Sequence, residues 1–165
     1  MDSLKKQRIE SSSITCMSKK VDRFSFDGGM TPKEGVNKSD GEFNVRNDIT
    51  NAFTDENGAR FRQLNLVIEL IPSDEGHYYR SEISVSGIYR APSDLDDEAF
   101  DREALSFGMQ DLYSYARGII ENVAAGGVWG PLYLPQIGFT ILLAPTSSKK
   151  VLKTALKAFQ LALTA

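Results

Sequence analysis

The sequence predicts an α+β protein: a four-stranded antiparallel sheet, then a long helix, an apolar crossover loop and a C-terminal helix. Three observations predict it. Apolar residues recur with period two in four successive runs up to Tyr89. They switch to helical spacing after Ala91-Pro92-Ser93-Asp94, and a double glycine, Gly126-Gly127, then opens an apolar stretch punctuated by Pro131 and Pro135. Strands followed by segregated helices make an α+β layer fold, with one sheet face buried under the helices. The other face is left for solvent or for another subunit.

The first strand is expected between Ile9 and Phe26, with Ile14, Cys16, Val21, Phe24 and Phe26 as its apolar positions, and Asp27-Gly28-Gly29 ends it. Residues Met30 to Gly41 read as a loop. Glu42 to Phe53 forms the second strand through Phe43, Val45 and Ile49. Asp55-Glu56-Asn57-Gly58 is a turn signal. A third strand follows from Ala59, with Phe61, Leu64, Leu66, Ile68 and Leu70. After a turn at Pro72 to Gly76, a fourth runs from Tyr78 to Tyr89, with Ile83 and Val85 on one face and Ser84 and Ser86 on the other. Ser93 or Asp94 is the expected N-cap of the long helix, and Asp96, Asp97 and Glu98 suit its first turn, where the helix dipole favours negative charge. Gly108 is a point of bending, and Gly126-Gly127 the stop. Thr140 to Leu143 is an apolar run. Val151 to Leu163 is a final amphipathic helix with Leu152, Leu156, Phe159 and Leu163 on one stripe.

The 165 residues suit one domain, 1–165, with residues 1–8 expected to be disordered. Apolar residues make up 41% and charged residues 25%, as in a soluble globular protein. A net charge of −3 argues against nucleic acid as a partner, because such binding needs a basic face. No apolar run is long enough to insert in a membrane. The N-terminal residues have no apolar signal core, and the single cysteine, Cys16, has no internal partner, so a cytoplasmic location is expected. A single histidine, His77, leaves no Cys–His pair and no metal site in view. Arg60 and Arg62 read as a solvated strand face, and the acids from Asp94 to Asp101 as a solvated helix start. No phosphate-binding glycine loop followed by Lys-Ser or Lys-Thr is present.

The stretch from Leu112 to Phe139 carries the functional signal. Loops are ordinarily polar, and this one holds Val128, Trp129, Leu132, Tyr133, Leu134, Ile137 and Phe139. Such a loop either caps a core or forms one wall of a groove. Tyr115-Ala116-Arg117, then Gly127, Trp129, Leu132, Leu134, Ile137 and Phe139, fall at the spacing of the SecB family of molecular chaperones, which the chain resembles from about Arg8 to Phe139. Ser25-Phe26-Asp27 and Glu82, Gly87 and Ile88 match more weakly.

The resemblance implies a four-stranded sheet with two helices, assembled as a dimer of dimers. It implies a holdase for unfolded polypeptide clients, with protein export as one use, and with no reaction and no cofactor. The implied client groove is lined by Phe26, Val128, Trp129, Leu132, Tyr133, Leu134, Ile137 and Phe139, and Asp27 and Glu82 lie on the sheet surface that export members turn to SecA. Arg23 and Arg80 stand where an acid and a Leu are common, Gly138 replaces the Asn that caps the last helix, and the segment 140–165 is divergent, ending in ALKAFQLALTA rather than an acidic tail. These departures weigh against SecA and toward a chaperone of one client, such as an antitoxin. For Arg117, a helix-surface ion pair and an intersubunit or helix–sheet contact are both open. A small-ligand-binding or enzymatic α+β protein is the third class.

Overall fold

The computed structural model describes residues 13–28, 41–50, 52–72 and 79–139. The segments expected at 1–8, 30–40 and 73–77 (with His77), the run 140–143 and the helix 151–163 lie outside the described residues. The elements are β1 (Thr15–Asp27), β2 (Gly41–Ile49), β3 (Phe53–Thr54), β4 (Arg60–Pro72), β5 (Arg80–Arg90), α1 (Asp97–Glu103) and α2 (Met109–Ala125). The sheet is antiparallel in the order β1-β5-β4-β2. The two-residue β3 pairs with β4 beside the end of β2, so the expected second strand is interrupted rather than continuous.

The pleat decides what is buried. Successive strand residues point to opposite faces, so Leu64, Leu66 and Ile68 of β4 and Ile83, Val85 and Tyr89 of β5 turn together toward the helices. Arg62 shares that parity. It is 6% exposed rather than solvated, with its guanidinium 4.9 Å from the Phe100 ring centre and its Nε 2.6 Å from Asp101. Arg60 reaches Asp97 at 2.8 Å. Asp97 and Asp101 are therefore partners for the β4 arginines, which corrects the solvated reading of Arg62, while the acids of the helix start stay open to solvent, Asp97 at 70%.

Asp96 is the N-cap, its side chain accepting from the Ala99 N–H at 2.7 Å. The expected caps fall too early in the chain. Ser93 and Asp94 are taken up in a turn closed by the Leu95 N–H on the Pro92 carbonyl, and Arg60 donates to the carbonyls of both end residues. Between β3 and β4, the Asp55 carboxylate accepts from the N–H groups of Asn57 and Ala59, and Gly58 supplies the left-handed residue at φ 78°.

A π-helical turn, Ala104–Gly108, joins α1 to α2, where bending at Gly108 is expected. A Cβ at Gly108 would stand 2.5 Å from Leu64 Cδ1, and one at Gly87 3.0 Å from Leu112 Cδ2. The helix is seated on bare backbone at both points. Leu112, Ala116, Ile120 and Ala124, four residues apart, form its buried stripe. The helix ends at Gly126 in right-handed geometry, with φ −84°.

Two glycines of the helix separate packing from propensity. A Cβ at Gly118 would meet nothing within 4 Å. Gly118→Ala should therefore stabilise by up to about 1 kcal/mol. Gly108→Ala carries the same propensity gain but drives a methyl into a fully buried leucine, an overpacking cost of about 1–3 kcal/mol. Urea unfolding midpoints should move in opposite directions for the two variants.

Candidate functional site

The crossover segment follows α2. The Gly127 N–H closes on Ala124 O at 2.9 Å, and the Gly130 N–H on Gly127 O at 3.2 Å. Val128 and Trp129 sit at the corners of that second turn, and Gly130 leaves it at φ 74°. From Pro131 to Phe139 the chain is irregular and alternates. Leu132, Leu134, Ile137 and Phe139 pack on the core, Leu134 being 4% exposed, while Tyr133 points outward at 77% and Val128 at 83%.

Three side chains fix this segment by its backbone. The Tyr79 hydroxyl donates to the Gly130 carbonyl. Glu121 Oε1 accepts from the Leu134 N–H at 2.9 Å. The Tyr113 hydroxyl donates to the Pro135 carbonyl. Glu121 is itself held by Arg117 Nε at 2.8 Å, an ion pair one turn apart on α2. Arg117 thus makes the helix-surface pair, and through Glu121 that pair continues into the crossover segment. Sequence reading placed no weight on Tyr79, Tyr113 or Glu121. Only the spacing of Arg117 and Glu121 signalled a contact.

The predicted groove residues divide. Phe26, at the end of β1, packs at 5.5 Å on the Tyr79 ring and through it joins the start of the crossover segment. Phe139 meets Tyr113 at 6.0 Å, and Tyr113 meets Phe43 of β2 at 6.5 Å. Leu134 belongs to the core. Trp129 is partly buried. Between α2 and the crossover segment lies an open cleft of about 470 Å³, lined by Gln110, Tyr113, Ser114, Arg117, Gln136 and Ile137. Of the predicted residues it takes Ile137 alone, so the cleft is more polar than the loop's composition suggests. Asp27 and Glu82 lie on the opposite face of the sheet, where Arg23 pairs with Glu82 and Arg46 with Glu69 at 2.6 Å.

Among the described residues, no group of His, Cys, Asp and Glu could hold a metal ion, and no helix is long and apolar enough to cross a membrane. Burial pushes the Tyr113 phenol up to about 12, against the pull of the Arg117 guanidinium. Burial likewise raises Tyr89, whose hydroxyl lies 2.9 Å from Asp111.

No family model matches the chain, and no curated protein does. Among solved structures, the SecB-like chaperone Rv1957 of Mycobacterium tuberculosis, in complex with a ChAD peptide from the HigA1 antitoxin, aligns with a TM-score of 0.52 and 11% identity, covering 78% of this chain and 94% of that one. A protein of unknown function from Streptococcus agalactiae aligns with a TM-score of 0.40 and 13% identity, over 77% of this chain and 100% of that one. The fold is SecB-like: an antiparallel sheet with a long helix packed on one face.

The buried phenols give a pH dependence of defined sign. Tyr113 is neutral when folded up to about pH 12, whereas in the unfolded chain it ionises near 10.0. Its contribution, about 2–3 kcal/mol, is complete below pH 10 and lost between pH 10 and 12. Urea midpoints should be level from pH 8 to 9.5 and fall steeply above pH 10. In the Tyr113→Phe variant that fall should be shallower.

Proposed function

We propose that the protein is an ATP-independent holdase that binds unfolded or non-native polypeptides and carries out no reaction. The observation that carries this reading is a crossover segment held through its backbone, which presents Val128 and Tyr133 to solvent while Leu132, Leu134, Ile137 and Phe139 pack on the core. Exposed large apolar groups on an ordered surface mark interaction sites. Extended chains are recognised by such walls through apolar pockets for some side chains and hydrogen bonds to the backbone. The polar lining of the neighbouring cleft, Gln110, Ser114 and Gln136, supplies partners for peptide groups. The fold supports the same conclusion, since a SecB-like chaperone of that fold was solved with a peptide bound. The client wall comprises Phe26, Val128, Trp129, Leu132, Tyr133, Ile137 and Phe139, with Leu134 as its anchor. The protein acts as a homo-oligomer, a dimer of dimers, in the cytoplasm, and light scattering should return a mass well above that of one chain.

Between general export and a dedicated client, the outer sheet face favours the dedicated client. Glu82 and Glu69 are cross-strand neighbours on the two central strands of that face, and each is matched by an arginine from the flanking strand. Such exposed pairs add little stability, but they cancel the local negative field that would attract a basic partner. SecA docking through Asp27 and Glu82 is therefore the weaker reading.

Aggregation assays test this directly. Without nucleotide, the protein should suppress aggregation of its client at near-stoichiometric ratios. The double variant Val128→Ser/Tyr133→Ser removes exposed groups only, so its stability should stay within about 0.5 kcal/mol of the wild type. Its client affinity should fall by about tenfold or more. Unchanged affinity would place the binding surface elsewhere. Protection of many unrelated unfolded proteins would favour the general holdase, and protection of one the dedicated chaperone.

A further inference from the structure

We infer that Glu121 is the positioning residue of the client wall: it transmits the fixed geometry of α2 to the crossover segment and so sets where that wall stands. The inference rests on the reading of the crossover segment as a client wall, and it names the residue on which the wall depends.

The geometry singles out this residue. The crossover segment has no strand partner among the described residues, so its peptide groups are not held by a ladder. Among the described residues, its middle is gripped through a donor at the Leu134 N–H, and that bond goes to Glu121 Oε1 at 2.9 Å. The same oxygen takes Arg117 Nε at 2.8 Å. The carboxylate therefore cannot turn away to solvent without giving up both bonds. An ionised acceptor makes the N–H bond a charge-assisted one, stronger than a neutral pair. Leu134, whose N–H is gripped, is also the buried residue of the segment. Its side chain fixes the depth of the segment, and its backbone bond fixes the lateral position against α2. The two tyrosine hydroxyls bind carbonyls at Gly130 and Pro135, on either side. Each is a longer lever on a ring that also packs in an aromatic cluster, Tyr79 on Phe26 and Tyr113 on Phe43 and Phe139. Glu121 belongs to no such cluster and is absent from the apolar core. Its side chain is about one-quarter exposed. Its removal therefore acts on the wall and spares the core.

A structural prop and a positioning residue differ in what a conservative replacement does. Gln keeps an oxygen to accept from Leu134 and loses the charge; Ala loses the acceptor. The chain has a single tryptophan, Trp129, and it lies in the crossover segment, so its fluorescence reads the wall directly. Glu121→Ala should raise acrylamide quenching of Trp129 about twofold or more and weaken client binding by about tenfold. Its far-ultraviolet circular dichroism and oligomeric mass should be those of the wild type. Glu121→Gln should restore most of both readouts. Trp129 quenching in Glu121→Ala equal to the wild type overturns the positioning role. So does a Gln variant as impaired as the Ala one. If the wild-type protein binds no unfolded client, the holdase reading fails by itself, and the fluorescence arm still decides whether Glu121 places the segment.

Discussion

Everything in this molecule depends on how closely the long helix lies on β4 and β5. Two absent side chains set that distance. Gly108 meets Leu64 and Gly87 meets Leu112 with no room for a methyl group. Ala116 and Ala124 keep the rest of the contact line thin. Dispersion attraction is lost over fractions of an ångström, so a close seat is worth more than its area suggests. It also fixes reach. Tyr113 and Glu121 project from a helix lying low on the sheet, and a segment crossing that sheet therefore comes within hydrogen-bonding distance of both.

The two faces of the sheet do different work because the pleat sorts side chains strictly. The inner parity holds the core and a buried arginine, Arg62, whose desolvation is offset by the Asp101 carboxylate and the Phe100 ring. The outer parity carries a four-charge arrangement, Arg23, Glu82, Glu69 and Arg46, across all four long strands. The two glutamates face each other and would repel; an arginine from each outer strand relieves them. The π turn belongs to the same logic. It brings Gly108 over Leu64, and the Tyr89 hydroxyl lies 3.1 Å from the Gly108 carbonyl.

Much of this order was legible in the sequence. Period-two runs gave the strands and their antiparallel sequence, the switch after Ala91 gave the helix, and apolar residues between prolines singled out the crossover segment. The errors have physical causes. Periodicity counts apolar residues, so the charge of Arg62 hides its parity with Leu64. Residue type marks Ser93 and Asp94 as caps; the turn that occupies them is braced by Arg60, more than thirty residues away. The grip on the crossover segment uses side chain to backbone bonds between distant positions, such as Tyr79 to Gly130. No local pattern encodes these. The alternation of Leu132, Tyr133 and Leu134 was visible, but which side faced the core was not, since that depends on where α2 lies.

A segment held by its peptide groups leaves its outward side chains without structural duties. Gly130, Leu134 and Pro135 are gripped through carbonyls and an N–H that any sequence of suitable backbone geometry would offer. Tyr133 and Val128 contribute to none of those bonds. Substitutions at these two places can therefore accumulate without eroding the fold, in the way antibody loops vary on a constant frame. A scaffold built so can change the chemistry of that surface by drift at two positions, with its stability left intact.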